Sequence, residues 1–381
     1  MREDSVILKS RLLRLYDYFI KAGDAASARK VRQLAAKLVR GEFGVAFCGH
    51  FSAGKSRMIN RLLGAMLLPS SPIPTSANLV YVRHGEEYAE ARFREGRPRR
   101  YLAPYDYDLV KSFCRDGTAI ESIEISTAAA ALPAGVVLMD TPGIDSTDAA
   151  HRLATEEAIH LADIIFYVMD YNHVQSEESF LFTKSLTEAK KRVVLVINQI
   201  DKHREEELSF AAFAAGVKEA FAAWGVEPEA IFFTSMKDEA HEHNDFKAMQ
   251  AFLREALENR EAALAASIAR SLEKICADAV SREEKSEEKG LAPAFAVLEP
   301  LSAAERDAIW AGSRALEQEA ESLRADGRAA FNAGVEKILA NAYMMPYEVR
   351  ELARLYLEAS APDFKVGFFG RGKKTAAERA A

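Results

Sequence analysis

Cysteine is scarce in this sequence. Three residues, Cys48, Cys114 and Cys276, are spread over 381 positions with no CxxC among them. An odd count at such spacings excludes a disulfide framework and a zinc ribbon, and predicts reduced thiols in a cytosolic setting. Long apolar runs are also missing. Nothing approaches the roughly 18 residues of a membrane-spanning helix, and the opening MREDSVILKS lacks the apolar centre of a secretory signal. Membrane contact is therefore expected to be peripheral or to lie outside this chain. Basic charge is not in excess, with 50 Lys+Arg against 57 Asp+Glu and a net charge of −7. A general nucleic-acid binder would show the opposite balance, so no nucleic acid is expected as a partner. Apolar residues make up 49% and charged residues 28%, which excludes wholesale disorder. The length suits about two domains.

The pattern changes twice along the chain. In residues 5–40, Leu8, Leu12, Leu15 and Phe19 recur at helical spacing, and Val31, Leu34 and Leu38 continue an apolar face beyond a turn at Gly23-Asp24. From residue 43 to about 240, short apolar runs alternate with helical stretches. The runs are Val45–Cys48, Leu79–Arg83, Ala89–Phe93, Ile120–Ile125, Val136–Met139, Ile164–Met169, Val193–Ile197 and Ile231–Phe233. The alternation predicts an α/β fold with a mostly parallel sheet and helices on both faces, the second and third strands forming an antiparallel hairpin through Gly85. Beyond residue 244 the pattern is helical again. Leu264, Ile268, Leu272, Ile275 and Ala279 mark one face. The charged run SREEKSEEKG ends at Gly290, and a capping box at Ser302–Glu305 restarts a helix. Ile309, Leu316 and Leu323 then recur every seven residues, which predicts helix-on-helix packing in an elongated bundle. The expected division is 1–40 helical, 41–260 α/β, and 261–381 helical again.

Residues 49–56, GHFSAGKS, fit GxxxxGK[ST], between an apolar strand and a helix. In that setting Gly49 and Gly54 let the backbone curl, so that the N–H groups from His50, Phe51, Ser52 and Ala53 through Arg57 converge on phosphate oxygens. The helix beginning near Lys55 adds its positive end. Lys55 is expected to reach the β- and γ-phosphates, and Ser56 to ligate Mg²⁺. VVLMDTPGID (136–145) ends a strand in Asp140, which can help hold that Mg²⁺. The Gly143 amide after it can bond the γ-phosphate and lose that bond on hydrolysis. RVVLVINQID (192–201) brings Asn198, Gln199 and Asp201 to the same sheet edge. The Asp201 carboxylate can accept two N–H bonds from guanine N1 and N2, a pair that adenine cannot supply. IFFTSMKD (231–238) places Ser235, Met236 and Lys237 where backbone N–H groups can meet guanine O6. Between cradle and DTPG, Thr75 is the favoured switch residue, a Mg²⁺ ligand through its hydroxyl and an aid to the attacking water, with Ser70, Ser71 and Ser76 as competitors. The expected ligands are GTP and GDP.

GHFSAGKS, the Pro-Thr of the switch loop, DTPG, NQID and TSMKD together resemble the dynamin superfamily, and within it the bacterial dynamin-like proteins. The long stretch from Gly49 to Asp140 and the helices before and after the α/β region agree with that resemblance. It implies a Ras-like P-loop GTPase domain on a helical neck, catalysis that needs Mg²⁺, and a monovalent cation (K⁺ or Na⁺) near the phosphates, held in part by Ser52. It also implies a homodimer formed through the nucleotide face, and membrane remodelling or fusion at the inner face of a bacterial cell membrane. Two positions depart from the family pattern. Phe51 stands where many dynamins carry a water-positioning glutamine, which leaves that task to groups near Thr75, Gly143 or Ser52. Gln199 stands where lysine is usual. Residues 301–381 show no amphipathic paddle with a hydrophobic tip, so the chain is expected to be a piece of a longer one or to act with other subunits.

Two alternatives share the same motifs. One is an Era-like ribosome- or RNA-associated GTPase, disfavoured by the acidic balance. The other is a GTP-binding scaffold with little turnover, for which Phe51 speaks. Other features have simpler readings. The five arginines within residues 92–100 suit a solvated strand edge. HEHND (241–245) lacks a full ligand set for a metal and is expected to supply a helix N-cap at Asp245. Asp170 and His173 suit a structural loop, and Cys48 a small buried apolar position.

Overall fold

A computed structural model describes residues 2–69, 78–104, 106–113, 119–144, 149–298, 301–341 and 347–359. Thr75, with its competitors Ser70, Ser71 and Ser76, lies outside the described residues, as does Cys114. Two compact units divide the chain between Lys285 and Ser286.

The first unit opens with two helices, α1 (Arg2–Lys21) and α2 (Ala25–Arg40), on either side of the predicted turn. Asp24 caps α2 by accepting from the Ser27 N–H, and Gly41 closes it in the left-handed conformation. The α/β region then runs β1 (Phe43–Gly49), α3 (Lys55–Leu63), β2 (Leu79–Arg83), β3 (Tyr88–Phe93), β4 (Arg99–Leu102), α4 (Tyr107–Phe113), β5 (Ile120–Ser126) and β6 (Val136–Asp140). It continues through α5 (Ala149–Leu161), β7 (Ile164–Asp170), α6 (Glu177–Glu188), β8 (Arg192–Asn198), α7 (Phe210–Ala223), β9 (Ala230–Thr234) and α8 (Phe246–Glu258). The nine strands form one sheet in the order β4-β3-β5-β2-β6-β1-β7-β8-β9. From β6 to β9 all neighbours are parallel. β1, β6 and β7 are buried along their whole length, as strands covered on both faces should be.

The expected hairpin between the second and third strands is not formed. β5 lies between them, parallel to β2 and antiparallel to β3. β2 is buried between β5 and β6, whereas β3 and β4 carry the run of arginines and take the sheet edge, where charged side chains stay solvated and block edge pairing. β4 itself, missed in the sequence, is that edge strand and is mostly exposed.

The helix α9 (Arg260–Leu298) does not stop at Gly290 but runs past it. Its first turns pack on α1 and α2. Leu8, Leu12, Phe19, Val31, Leu34, Leu264, Ile268, Leu272 and Ile275 form one buried cluster. Each such side chain contributes roughly 1.5–3 kcal/mol on burial, so the start of the chain and the segment after residue 260 are held together by apolar packing. At the far end of this contact Arg282 pairs with the N-cap Asp24 at 2.7 Å.

The second unit contains α10 (Ala303–Asn341) and α11 (Tyr347–Ala359). The predicted capping box is present: the Ser302 N–H and hydroxyl donate to Glu305 Oε2 at 2.9 and 2.7 Å. The heptad residues Ile309, Leu316 and Leu323 are exposed, contrary to the expected packing, because no described element of this unit covers that face of α10.

Candidate nucleotide-binding site

Gly49 ends β1 with φ 141°, and a Cβ there would lie 1.9 Å from the Val168 carbonyl oxygen on β7. Only glycine lets the chain leave the sheet so close to its neighbour. Ser52 (φ 60°) and Gly54 (φ 94°) complete the curl that delivers Lys55 to the first turn of α3. Lys55 is buried, and its ammonium donates to the carbonyl oxygens of Gly49 (2.9 Å) and His50 (2.8 Å) across the loop. The loop is also clamped from β8. Asn198 Nδ2 donates to the Ala53 carbonyl at 2.8 Å, and Gln199 Nε2 donates to the Ser52 carbonyl at 2.9 Å.

The Ser56 hydroxyl donates to Asp140 Oδ2 at 2.5 Å. A hydroxyl and a carboxylate held together beside a glycine-rich loop are hard oxygen donors of the kind Mg²⁺ takes. The segment after Asp140 is tied back to the same loop, since the Thr141 N–H donates to the Phe47 carbonyl (3.2 Å) and the Ile144 N–H to that of Gly49 (3.3 Å). Gly143 sits half-buried between these two bonds. At the opposite end, the Ser235 hydroxyl donates to Asp201 Oδ1 at 2.7 Å and accepts from the amides of Lys237 and Asp238. This pairing fixes one carboxylate oxygen of Asp201 and the curl of the loop after β9 together.

Residues 45–201 match the sequence profile of the Dynamin family. Dynamin-like protein A of Bacillus subtilis is 37% identical over 365 residues, 96% of this chain and 30% of that protein. Residues 45–201 form a dynamin-family domain. Dynamin-like protein 2 of Campylobacter jejuni is 24% identical over 213 residues, 55% of this chain and 34% of that protein. The chain thus spans about a third of the length of these two relatives. A solved structure described as an oligomerised bacterial dynamin pair aligns with 94% of this chain and 68% of its own, at 16% identity and a TM-score of 0.46.

Within this dynamin-family domain the sequence-predicted residues fall into three groups. Gly49, Ser52, Ala53, Lys55, Ser56, Asp140, Asn198 and Gln199 take part in the bonds just described, and Gly54 and Gly143 adjoin them in the chain. Asp201 and Ser235 form the second group, joined to each other where the residues expected to read the base fall. The third group takes no part in these bonds through its side chains. His50 is buried with its ring against Ser179 Oγ (3.0 Å), and Met236 packs in the core below the sheet. Phe51 is half-buried, while Arg57 and Lys237 are exposed.

Asn244 was overlooked in the sequence. Its Nδ2 donates to the carbonyls of Ser235 (2.8 Å) and Asp238 (2.9 Å), and its Oδ1 accepts from the Ser235 amide (3.3 Å). It braces the loop after β9 from outside. Asp245 stands at the N-cap of α8 as expected, but its side chain makes no capping bond and accepts from the Phe233 N–H at 3.0 Å. Cys48 is fully buried, and burial pushes its thiol up to about 12, as suits an inert apolar position.

Proposed function

We propose that this chain binds guanine nucleotides with Mg²⁺ and hydrolyses GTP, most rapidly when two copies meet through their nucleotide faces. The observation that carries the reading is the Ser56–Asp140 pair at 2.5 Å beside the buried Lys55. In this reading the amides of residues 50–57 hold the phosphates, the Lys55 ammonium offsets their charge, and Ser56 and Asp140 hold Mg²⁺ together with Thr75. When bound, the ion supplies positive charge to the phosphoryl oxygens. Asp201 selects guanine, and the Gly143 amide reports the γ-phosphate. The exposed Ser52 hydroxyl offers one oxygen to a monovalent cation, in place of the arginine finger that other GTPases borrow. Phe51 cannot orient water through a side-chain hydrogen bond, so backbone groups near Ser52, Gly143 or Thr75 take that part.

The helices of residues 1–40 and 261–381 act as the neck on the GTPase domain of 41–260, and the work done is membrane remodelling or fusion at the inner face of a bacterial membrane. One fact supports the membrane part: the Bacillus relative is a dynamin-like protein.

GTP turnover per protein, followed as protein concentration rises in potassium or in a bulky inert cation with Lys55→Ala as the blank, tests this reading. The specific rate is expected to climb with concentration and to need potassium. A flat, slow rate in both salts with GTP still bound would leave a nucleotide-dependent scaffold, the reading that Phe51 favours.

A further inference from the structure

One face of the sheet carries Tyr81 and Arg83 of β2, Glu124 of β5, and Val137 and Met139 of β6 in register. The helices α2 and α5 roof this face incompletely, and a cavity of about 380 Å³ remains beneath them. That volume lies within the roughly 300–1,000 Å³ of small-molecule sites. Gly44 and Val137 line it, near the starts of β1 and β6, whereas the nucleotide cradle is at the other ends of these strands.

The lining holds five basic side chains against three carboxylates, in a protein whose net charge is −7. Most of these charges are already matched. Lys37 Nζ lies 2.6 Å from Asp163, Arg40 lies 3.7 Å from Glu42, Arg83 pairs with Glu42 (2.7 Å) and Glu124 (3.2 Å), and Arg92 pairs with Glu90 (3.3 Å). Glu157 accepts from Gln33 (2.9 Å) and Arg29 (3.4 Å). Two lining groups remain. Arg32 makes no ion pair or hydrogen bond among the described residues, and the Tyr81 hydroxyl has no hydrogen-bond partner among them. Burial pushes the Tyr81 phenol up, so it stays a proton donor. Arg32 is exposed and Tyr81 half-buried, so both groups are free to turn to an acceptor that enters the cavity.

We propose that this cavity is a second ligand site, for a small organic anion. A carboxylate or phosphate group would meet Arg32 and the Tyr81 hydroxyl, and a compact apolar body would lie against Ala36, Met139 and Leu161. A cationic ligand would find every lining carboxylate engaged, and a bare inorganic ion would leave most of the volume and the apolar wall unused. Because the walls come from α2 and from the sheet, a ligand bound there favours the arrangement in which the two are apposed.

Calorimetric titration of the full chain tests the proposal, with phenyl phosphate and benzoate as probes and benzylamine as the cationic control. Saturating GDP keeps the anions out of the nucleotide cradle. We expect 1:1 binding of at least one anion and none of benzylamine. Arg32→Gln and Tyr81→Phe should each weaken binding about fivefold or more, with GDP affinity and melting temperature unchanged. No saturable heat from either anion up to about 10 mM would overturn the proposal, as would equal affinity in the parent and both variants. If the chain fails to take up GDP, the nucleotide reading fails on its own. The same titration without nucleotide, with Lys55→Ala added, still separates cavity from cradle.

Discussion

Asn198 at the end of β8 donates to the Ala53 carbonyl across 2.8 Å, while its own Oδ1 accepts from Thr234 on β9 at 3.2 Å. One buried amide therefore joins the glycine-rich loop to the strand that leads into the loop carrying Ser235. Gly54 is fitted to it, since a Cβ there would come within 2.5 Å of Asn198 Nδ2. Replacing Asn198 with Ala strands two buried polar groups, at a cost of about 1–3 kcal/mol. We expect a lower denaturation midpoint and GDP affinity weaker by about tenfold, read by urea melts and by fluorescent-nucleotide titration. Unaltered affinity would show that Asn198 does not shape the loop.

Gly49 admits no side chain. Gly49→Ala would have to move the β7 backbone, and its φ is unfavourable for an L residue. Loss of several kcal/mol and poor soluble yield are expected. Gly64→Ala is the control. Its φ is also positive, but no atom lies within 4 Å of the added Cβ, so it should cost only about 1 kcal/mol. Equal yields and equal melts for the two variants would refute the steric account.

The Ser56–Asp140 pair predicts a metal signature in binding itself. Parent GDP affinity should fall when Mg²⁺ is chelated. Ser56→Ala should bind GDP with little further response to EDTA and lose about 10²-fold or more in GTP turnover. A parent indifferent to EDTA would remove the assigned role of the pair.

His160 gives a pH dependence whose sign is fixed. Its Nε2–H donates to the Lys30 carbonyl at 3.1 Å, and burial holds its pKa at about 3, against 6.5 for the free side chain. Below pH 6.5 the unfolded chain takes up a proton that the native state refuses until about pH 3. The native state therefore loses stability as pH falls through that window and keeps it in full above. His160→Gln should narrow the difference between urea midpoints at pH 7 and pH 4.5. If the parent and variant profiles run parallel, His160 is not the group responsible.

Ile268 is fully buried where α9 meets α1 and α2. Ile268→Ala should cost about 2–5 kcal/mol, seen as an earlier urea transition. If the variant melts like the parent, the three-helix contact contributes little in solution.

The parallel half of the fold was legible because its strands, buried on both faces, read as unbroken apolar runs, with the cradle, Asp140 and Asp201 falling at their ends. The mixed half was not. Alternation in β2, β3 and β5 tells which face a residue takes but not which strand lies beside it, so the insertion of β5 between β2 and β3 left no trace in the pattern. β4, with the run RRYL, has too little apolar character to announce itself. In the site, side chains that touch the loops by type and spacing were readable. Asn244 was not, because a brace acting through carbonyls nine and six positions back has no periodicity to betray it.

That brace has a mechanical side. Asn244 stands two residues before α8, and Asn259 alone separates α8 from α9, whose first turns are bolted to α1 and α2. The loop that would read the base is thus the short arm of a lever with little slack at its fulcrum. A shift of that loop can be taken up by distortion within α8, or else it is felt where the chain's first two helices begin.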